Sequence, residues 1–386
     1  MDTSIDFVCP RCGNSDPRYL GRKPVGGELY CRKCISFIGA SAKQTIANPH
    51  EVELSLHYPL TSEQSSISST IIKNYKNKID TLVYAVCGAG KTELSFGVIK
   101  YALEQGQQVG FALPRRDVVI ELYWRLKDAF PNSKVVAVYG DHSYQLEGDI
   151  IILTTHQLYR YDHYFDLIVM DEIDAFPYKG NDVLEAMFTR ARRGPCVLMS
   201  ATPSKEILAE FSKPQHGIVE LRTRFHKKDI PVPQIKLDSE LFQLAFVIRK
   251  LIKYKKNGLK CLVFAPTINQ CEEIYSKVKT FVNKGGFVHS KCPNREEVIS
   301  EFKKGNLNYL ITTSVLERGV TIKNLQVIVT TSDNEKIYNS ATLIQIAGRA
   351  GRKIDAPYGE VFFLAQKETK SMREAIDEIR YCNTYL

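Results

Sequence analysis

A strand that leads into a glycine-rich loop and then a helix is the feature that most constrains this chain. The apolar run 79–84 is followed by Ala85-Val-Cys-Gly-Ala-Gly-Lys-Thr92, and helical periodicity continues to Glu104. The backbone N–H groups of such a loop converge on an anion, and the helix N-terminus adds a favourable partial charge. Lys91 can reach the outer phosphates of a nucleotide, and the Thr92 hydroxyl can bind Mg²⁺. The pattern predicts a triphosphate site on an α/β sheet.

Small residues allow this loop to close around a phosphate. Gly88 and Gly90 permit backbone angles and a close approach that a side chain would block. Ala85 occupies the first position of the usual Gly-x4-Gly-Lys-Ser/Thr pattern, and because alanine is small we expect the loop to close. An ordinary glycine-rich turn is the alternative, but the flanking strand and helix favour nucleotide binding.

The composition is typical of a soluble globular protein with two medium domains and a small module. The chain has 386 residues, 44% hydrophobic and 25% charged. A net charge of +9 is compatible with a polyanionic partner. Because we find neither an apolar run of membrane-span length nor a signal peptide before the first charges, we expect a cytoplasmic location.

Strand and helix patterns alternate after Thr61. In the first stretch, strands are predicted at 79–86, 109–113, 135–138, 150–154, 167–170 and 196–199, with helices at 91–104, 117–129 and 182–193. In the second, strands are predicted at 261–264, 286–288, 309–312, 326–331 and 360–364, with helices at 239–257, 268–281, 294–304, 340–348 and 370–382. Such alternation predicts two α/β lobes with parallel sheets.

Between the two stretches lies a basic segment with two prolines, residues 224–233, which is typical of an interdomain linker. A short alternating strand is expected at Val52–Leu56. The predicted domains are a zinc-binding ribbon at 1–40, a connector at 41–60, a first lobe at 61–228 and a second lobe at 229–386.

Two Cys-x2-Cys pairs near the N-terminus, separated by eighteen residues, predict a structural zinc site formed by Cys9, Cys12, Cys31 and Cys34. A redox dithiol or a disulfide is the alternative. Basic and aromatic residues surround the pairs: Arg11, Arg18, Tyr19, Arg22, Lys23, Tyr30, Arg32 and Lys33. This mixture suits single-stranded nucleic acid, but a solvated surface or a protein-docking site fits it equally well.

Carboxylates follow the apolar strand 167–170. Such a strand end places Asp171 beside the phosphate loop, where it can hold Mg²⁺, and positions Glu172 to orient or deprotonate the attacking water. Near the C-terminus, Gln345-Ile-Ala-Gly-Arg-Ala-Gly-Arg352 carries two arginines that we expect on one helical face. Arg349 and Arg352 suit the charge-delocalised γ-phosphoryl group in the transition state.

These segments occur in the order typical of superfamily 2 helicases and translocases, which the chain resembles over residues 61–386. The resemblance is carried by AVCGAGKT (85–92), FALPRR (111–116), TTHQL (154–158), DEID (171–174), SAT (200–202), LVFAPT (262–267), TTSVLERGVT (312–321) and QIAGRAGR (345–352). It implies two RecA-like lobes, ATP with Mg²⁺ as ligands, and a nucleic-acid strand across both lobes. By position, Gln64 is implied to read adenine.

The resemblance also implies contacts to the phosphates of the strand, which read no sequence. The implied residues are Arg115, Arg116, Thr155 and His156 in the first lobe and Thr267, His289, Ser290 and Thr313 in the second. Glu317-Arg318-Gly319 resembles the motif that couples strand contact to ATP. Ile173 and Ile346 depart from the DEAD-box RNA helicase pattern, and this moves the resemblance toward DNA-directed members.

A four-cysteine module directly ahead of such a core is similar to the ComFA family of competence ATPases. That resemblance implies single-stranded DNA translocation during uptake of transforming DNA. It also implies partners: a ComFC-like protein, single-strand-binding or recombination-loading proteins, and peripheral association with the membrane uptake channel at the inner face. Two alternatives stay open. One is a duplex-unwinding helicase of replication restart or repair, and the other is a zinc-ribbon scaffold with a vestigial ATPase.

Overall fold

The computed structural model describes residues 7–44, 49–86, 88–175, 177–316, 322–353 and 355–385. Two compact units make up the chain, residues 1–85 with 90–221 and residues 86–89 with 222–386. Each unit contains a parallel sheet with helices, so the predicted α/β class with two parallel-sheet lobes is confirmed. The chain passes from the first unit to the second between Leu221 and Arg222, whereas the linker pattern predicts a boundary between residues 228 and 229.

The N-terminal module is a small antiparallel ribbon of β1 (Leu20–Arg22) and β2 (Leu29–Cys31). Lys23 N–H donates to Glu28 O at 2.9 Å and closes the turn between the two strands. Cys9, Cys12, Cys31 and Cys34 are all buried and take the place of an apolar core. The predicted four-cysteine ribbon is therefore confirmed.

The first unit alternates strands and helices along the chain. Its elements are α1 (Ser62–Lys76), β3 (Asp80–Ala85), α2 (Lys91–Leu94), α3 (Phe96–Glu104), β4 (Val109–Leu113), α4 (Arg116–Ala129), β5 (Val135–Val138), β6 (Ile150–Thr154), β7 (Leu167–Asp171), α5 (Asp182–Ala191), β8 (Cys196–Ser200), α6 (Lys205–Phe211) and β9 (His216–Leu221). The sheet order is β5-β6-β4-β7-β8-β3-β9, and every pairing is parallel. β4 and β6 are buried along their whole length, as expected for a parallel sheet covered on both faces.

Capping chemistry fixes the start of α1. The Thr61 hydroxyl accepts the Gln64 N–H at 3.2 Å, and Gln64 Oε1 accepts the Thr61 N–H at 2.9 Å. This reciprocal capping box holds Gln64 at a defined place before β3. The strand predicted at Val52–Leu56 is wrong: the segment is irregular, and Ser55 N–H donates to Ala129 O instead of to a neighbouring strand.

The second unit repeats the alternation. Its further elements are β10 (Gln234–Leu237), α7 (Glu240–Lys256), β11 (Lys260–Phe264), α8 (Ile268–Val278), β12 (Gly285–Val288), α9 (Arg295–Lys304), β13 (Tyr309–Thr312), β14 (Leu325–Val329), α10 (Ser340–Ala347), β15 (Val361–Ala365) and α11 (Lys370–Asn383). The sheet order is β10-β15-β14-β11-β13-β12, again parallel throughout. None of the described helices in either unit combines the length and apolar character that a membrane span requires.

Candidate active site and nucleic-acid interface

The phosphate loop joins β3 to α2 through two glycines in left-handed conformations. Gly88 has φ 86° and Gly90 has φ 81°, a region that side chains other than glycine rarely adopt. A Cβ placed on Gly90 would lie 2.7 Å from Gln64 Nε2, so the buried Gln64 amide lies directly against the loop. Cys87, the remaining spacer of the loop, lies outside the described residues.

Lys91 and Asp171 form an ion pair at the carboxyl edge of the sheet. Lys91 Nζ lies 3.5 Å from Asp171 Oδ1, and the two side chains are 16% and 14% exposed. Asp171 Oδ1 also accepts the N–H of Glu172 at 2.8 Å, and Glu172 has a positive φ of 60°. Strained backbone of this kind is concentrated at functional sites. The structure therefore brings together the predicted lysine and carboxylates.

This set of residues fits Mg²⁺ and a nucleoside triphosphate. Lys91 is a cation at the start of α2, Thr92 beside it offers a hydroxyl, and Asp171 and Glu172 add carboxylates at the end of β7. A hydroxyl with a carboxylate is the usual protein ligation of Mg²⁺ in this class of site, and the lysine and loop amides hold phosphates. When bound, Mg²⁺ would neutralise phosphate charge, with Thr92 and Asp171 as its protein ligands.

Asp174 connects the carboxylate turn to the end of the neighbouring strand β8. Its Oδ1 accepts from Ser200 Oγ at 2.8 Å, and its Oδ2 accepts from Thr202 Oγ1 at 2.7 Å. Thr202 N–H in turn donates to Ser200 Oγ at 2.9 Å. Both carboxylate oxygens are thus engaged, which fixes the turn that carries Glu172. Asp174 is a positioning residue that the sequence motif includes but does not single out.

In the second unit, both predicted arginines lie beyond the helix on which they were expected. α10 ends at Ala347, and Arg349 and Arg352 follow in turns, so the expectation of one helical face is wrong. Gly348 N–H donates to Ile344 O at 2.9 Å and closes the last turn of the helix. Arg349 is 5% exposed, whereas Arg352 is half-buried.

A buried arginine in the segment predicted as an interdomain linker holds these turns. Arg224 is 1% exposed, and its guanidinium donates to the carbonyl oxygens of Gly348, Ala350 and Gly351 at 3.1, 3.1 and 2.8 Å. His226 Nδ1 accepts the Lys228 N–H, and its Nε2 therefore donates to Gly351 O at 3.1 Å. Burial lowers the pKa of His226, consistent with this neutral ring.

Replacing Arg224 with alanine is expected to lower the free energy of unfolding by about 3 kcal/mol, because the change removes charged donors from buried carbonyls. Urea unfolding of the full chain followed by circular dichroism measures the effect. Arg373→Ala, at a side chain that is 66% exposed on α11, is the matched control and should leave the midpoint in place. An unchanged midpoint in Arg224→Ala would contradict the assignment.

Residues 86–89 of the phosphate loop group with the second unit. Within it, Phe225 N–H donates to Gly88 O at 3.3 Å. A Cβ on Gly88 would lie 3.6 Å from Arg224 Nε and 3.7 Å from Arg352 Cγ. The side chain of Arg352 therefore lies beside Gly88, at the part of the loop that surrounds a phosphate in such sites.

The first-unit residues that are implied to contact nucleic acid lie directly after neighbouring β-strands. Arg115 and Arg116 come after β4, while Thr155 and His156 come after β6, which pairs with β4 in parallel. Arg116 and His156 are exposed, whereas Thr155 is fully buried. Contact between the Thr155 hydroxyl and a nucleic-acid strand stays a prediction.

The second-unit residues lie at the carboxyl edge of their own sheet. Thr267 and Thr313 follow β11 and β13, and His289 and Ser290 follow β12. Thr267 caps α8 by accepting the Gln270 N–H at 3.2 Å. His289 is buried, and its Nε2 lies 3.0 Å from Glu272 Oε1. The coupling motif Glu317-Arg318-Gly319 lies outside the described residues.

The four cysteines have the geometry of a tetrahedral metal site. The Sγ atoms of Cys9 and Cys34 lie 3.6 Å apart, those of Cys12 and Cys31 lie 3.7 Å apart, and all four lie within 4.8 Å of one another. A tetrahedron with metal–sulfur bonds of about 2.3 Å has sulfur–sulfur edges of about 3.8 Å. The cluster therefore fits zinc, and none of the four cysteines is disulfide-bonded.

Several cations of the ribbon have partners inside it. Arg11 Nη1 donates to the carbonyl oxygens of Cys34 and Phe37, at 3.0 and 2.5 Å. Arg18 pairs with Asp16, and Lys23 with Glu28. These contacts favour a structural role for Arg11 over a contact to nucleic acid.

The ribbon packs on the short 3-10 helix Thr155–Arg160 that carries His156. Phe37 stacks on the His156 ring at 6.2 Å, and Tyr159 Oη donates to Ile38 O at 2.7 Å. Arg160 Nη1 donates to Ala40 O at 2.7 Å, and Ala42 N–H donates to Arg160 O at 2.9 Å. The ribbon thereby supports a segment that is implied to contact nucleic acid.

We expect about one zinc ion per chain, bound by the four thiolates. Cys12→Ser should abolish zinc binding and make residues 7–44 sensitive to protease, because metal binding supplies the folding energy of such a ribbon. Elemental analysis and limited proteolysis measure the two effects. Cys292→Ser, at a half-buried cysteine of the second unit, should retain the metal. A protease-resistant ribbon in metal-free protein would contradict the prediction.

Comparison with known protein families and proteins agrees with the geometry. The DEAD/DEAH box helicase family matches residues 61–211, and the helicase conserved C-terminal domain matches residues 243–353. The chain is 34% identical to the competence protein ComFA of Bacillus subtilis (strain 168), over 98% of this chain and 86% of that protein. It is 31% identical to ComFA of Streptococcus pneumoniae (strain ATCC BAA-255 / R6), over 98% and 90%.

Solved helicase structures share the fold. Dbp5 of S. cerevisiae bound to RNA and ADP BeF3 aligns with a TM-score of 0.64 at 16% identity, over 85% of this chain and 92% of that one. RecG bound to a three-way DNA junction aligns with a TM-score of 0.61 at 20% identity, over 85% and 45%. The predicted two RecA-like lobes and the superfamily 2 ATPase class are confirmed.

Proposed function

The chain belongs to the ComFA family of competence proteins within superfamily 2, and from this premise we propose that it is an ATP-driven translocase of single-stranded DNA. In this proposal it serves the uptake of transforming DNA. The chain is a competence-associated helicase-type ATPase. What we add is the polymer, a single strand of DNA, and the action, directional movement along it.

One observation carries the proposal. In the first unit, the residues predicted to bind ATP follow β3 and β7, and the residues implied to contact nucleic acid follow β4 and β6. All four strands belong to a single sheet, in the order β6-β4-β7-β8-β3. β4 and β7 are direct neighbours, so the two sets of residues share one continuous edge. Because a packed parallel sheet is rigid, a change at Asp171 can reach Arg115 through one strand pair.

The proposed roles follow from the chemistry of each side chain. Lys91 and Thr92 hold the phosphates and the metal, Asp171 holds the metal, and Glu172 orients the attacking water. Gln64 contacts the base of the nucleotide through its amide, and Arg349 and Arg352 stabilise charge on the γ-phosphoryl group. Asp174, with Ser200 and Thr202, keeps the turn after β7 in place.

Displacement of streptavidin from a biotinylated single strand tests the proposed movement. ATP should accelerate displacement from one end of the strand only, since translocation has a direction. Omission of ATP and the variant Lys91→Ala should both abolish it. Equal displacement from both ends, or displacement without ATP, would contradict translocation.

A forked duplex tests whether the motor unwinds DNA. Efficient strand separation would favour the alternative of a restart or repair helicase.

Competence-machinery proteins remain our proposed partners, and the exposed face of the ribbon is the proposed docking site. Pull-down with and without zinc tests this, because docking that survives loss of the metal would contradict it.

A further inference from the structure

A ladder of three rings and a guanidinium lies at the carboxyl end of the edge strand β5. Its members are Arg116, Tyr139, His142 and Tyr144, and we call this set the aromatic ladder. Arg116 begins α4, and the other three belong to the turn that leaves β5. Only Arg116 belongs to a helicase motif, so the function described above does not account for the rings.

Each member of the aromatic ladder contacts the next one. Arg116 Cζ lies 5.2 Å from the centre of the Tyr139 ring, and the Tyr139 and His142 rings are nearly parallel, with centroids 4.9 Å apart. The Tyr144 ring meets His142 edge-on at 4.7 Å, and Tyr144 Oη lies 3.4 Å from His142 Nε2. Tyr144 is 80% exposed, more than any other aromatic side chain among the described residues.

Hydrogen bonds hold the turn in this conformation. Tyr139 and His142 exchange backbone N–H···O bonds at 3.1 and 2.7 Å, which makes a one-step antiparallel bridge. Arg160 Nη2 donates to Ser143 Oγ at 3.3 Å, and the same guanidinium holds Ala40 of the ribbon. The exposed ring of Tyr144 is therefore presented by a supported turn beside the segment that carries His156.

Unpaired bases stack on exposed aromatic faces such as that of Tyr144, and the Arg116 guanidinium at the other end of the ladder can meet a phosphate. Bases in a duplex already stack on each other and hide their faces, so the ladder selects for single strands. Arg115 and Arg116 follow β4 and supply positive charge at the same carboxyl edge of the sheet as the ladder, which suits a polyanion.

We propose that the aromatic ladder is a base-stacking subsite for single-stranded DNA, with Tyr144 as the residue that contacts a base. The inference rests on the proposed function for the identity of the polymer and adds a contact to bases where the motifs imply only phosphate contacts. Such a contact would let the protein distinguish single-stranded from duplex DNA without recognising a base sequence.

Two matched ligands test the subsite: oligo-dT of about 20 nucleotides, and an abasic phosphodeoxyribose chain of equal length. Fluorescence anisotropy at fixed salt gives Kd for each. Wild type should bind oligo-dT more tightly than the abasic chain. Tyr144→Ala should weaken oligo-dT binding by about 5- to 100-fold and leave the abasic Kd in place, because one stacked base is lost. Tyr144→Phe should restore oligo-dT binding, since the ring is kept.

Tyr358→Ala is the matched control, because this tyrosine is 73% exposed and lies outside the ladder. It should bind both ligands as wild type does. If Tyr144→Ala binds oligo-dT normally, or weakens both ligands equally, the base-stacking inference is overturned while the proposed function stands. If wild type binds neither ligand, the proposed function fails and the inference fails with it.

Discussion

Lys91→Ala is expected to lower kcat for ATP hydrolysis by about 100- to 1000-fold, in line with the loss of one preorganised charge from a transition state. Lys91 Nζ lies 3.5 Å from Asp171 Oδ1, and the lysine side chain is only 16% exposed. Its charge acts in a poorly hydrated site, where an electrostatic interaction is stronger than in water. A coupled assay of phosphate release under saturating ATP measures the loss.

Lys100→Ala provides the matched control for this change. Lys100 lies on the neighbouring helix α3, is 39% exposed and pairs with Glu104 at 3.6 Å. Loss of an exposed pair of this kind costs little, so its turnover should equal that of wild type. If Lys91→Ala retained wild-type turnover, the phosphate loop would not be the site of hydrolysis.

Arg352→Ala is expected to lower kcat by about 1000-fold or more, the range found when an arginine that stabilises the γ-phosphoryl transition state is removed. KM for ATP should change much less, because the interaction strengthens as charge develops. Arg352 is the better test of the pair, since Arg349 is 5% exposed and its loss would also disturb packing. Steady-state kinetics over a range of ATP concentrations separates the two constants.

Two further variants interpret that result. Arg352→Lys keeps the charge but loses the planar fork, so we expect it to recover only part of the activity. Arg380→Ala, on α11 and 66% exposed, removes an arginine outside the site and should behave as wild type. A proportional rise in KM with unchanged kcat in Arg352→Ala would contradict a role in the transition state.

The placement of the ATP residues follows from sequence because it depends on local pattern. A glycine-rich loop after an apolar strand, and carboxylates after another, put both sets at the carboxyl ends of parallel strands, which share one edge. The order of strands does not follow from local pattern, since β3 lies between β8 and β9 through crossovers. Sequence predicts that Asp171 lies beside the phosphate loop, and the fold adds the distance of 3.5 Å between Lys91 Nζ and Asp171 Oδ1.

The role of a residue cannot be predicted from local sequence when it depends on partners that are distant along the chain. Arg224 stands in a basic, proline-containing run that reads as a linker, yet its acceptors lie 124 to 127 residues further along the chain. Tyr144 belongs to no motif, and its exposure is set by a turn that Arg160 supports. At Val52–Leu56 the local pattern predicts a strand that the structure does not form. An alternating pattern forms a strand only where a neighbouring strand offers hydrogen bonds.

The rate of ATP hydrolysis with and without nucleic acid tests the central claim most directly. The purified 386-residue chain is assayed alone, with poly-dT and with poly-rU at equal nucleotide concentration and fixed salt. A single-stranded DNA motor should hydrolyse ATP slowly alone and markedly faster with poly-dT, with a smaller effect of poly-rU. Turnover that poly-dT leaves unchanged, or that only poly-rU stimulates, would contradict it.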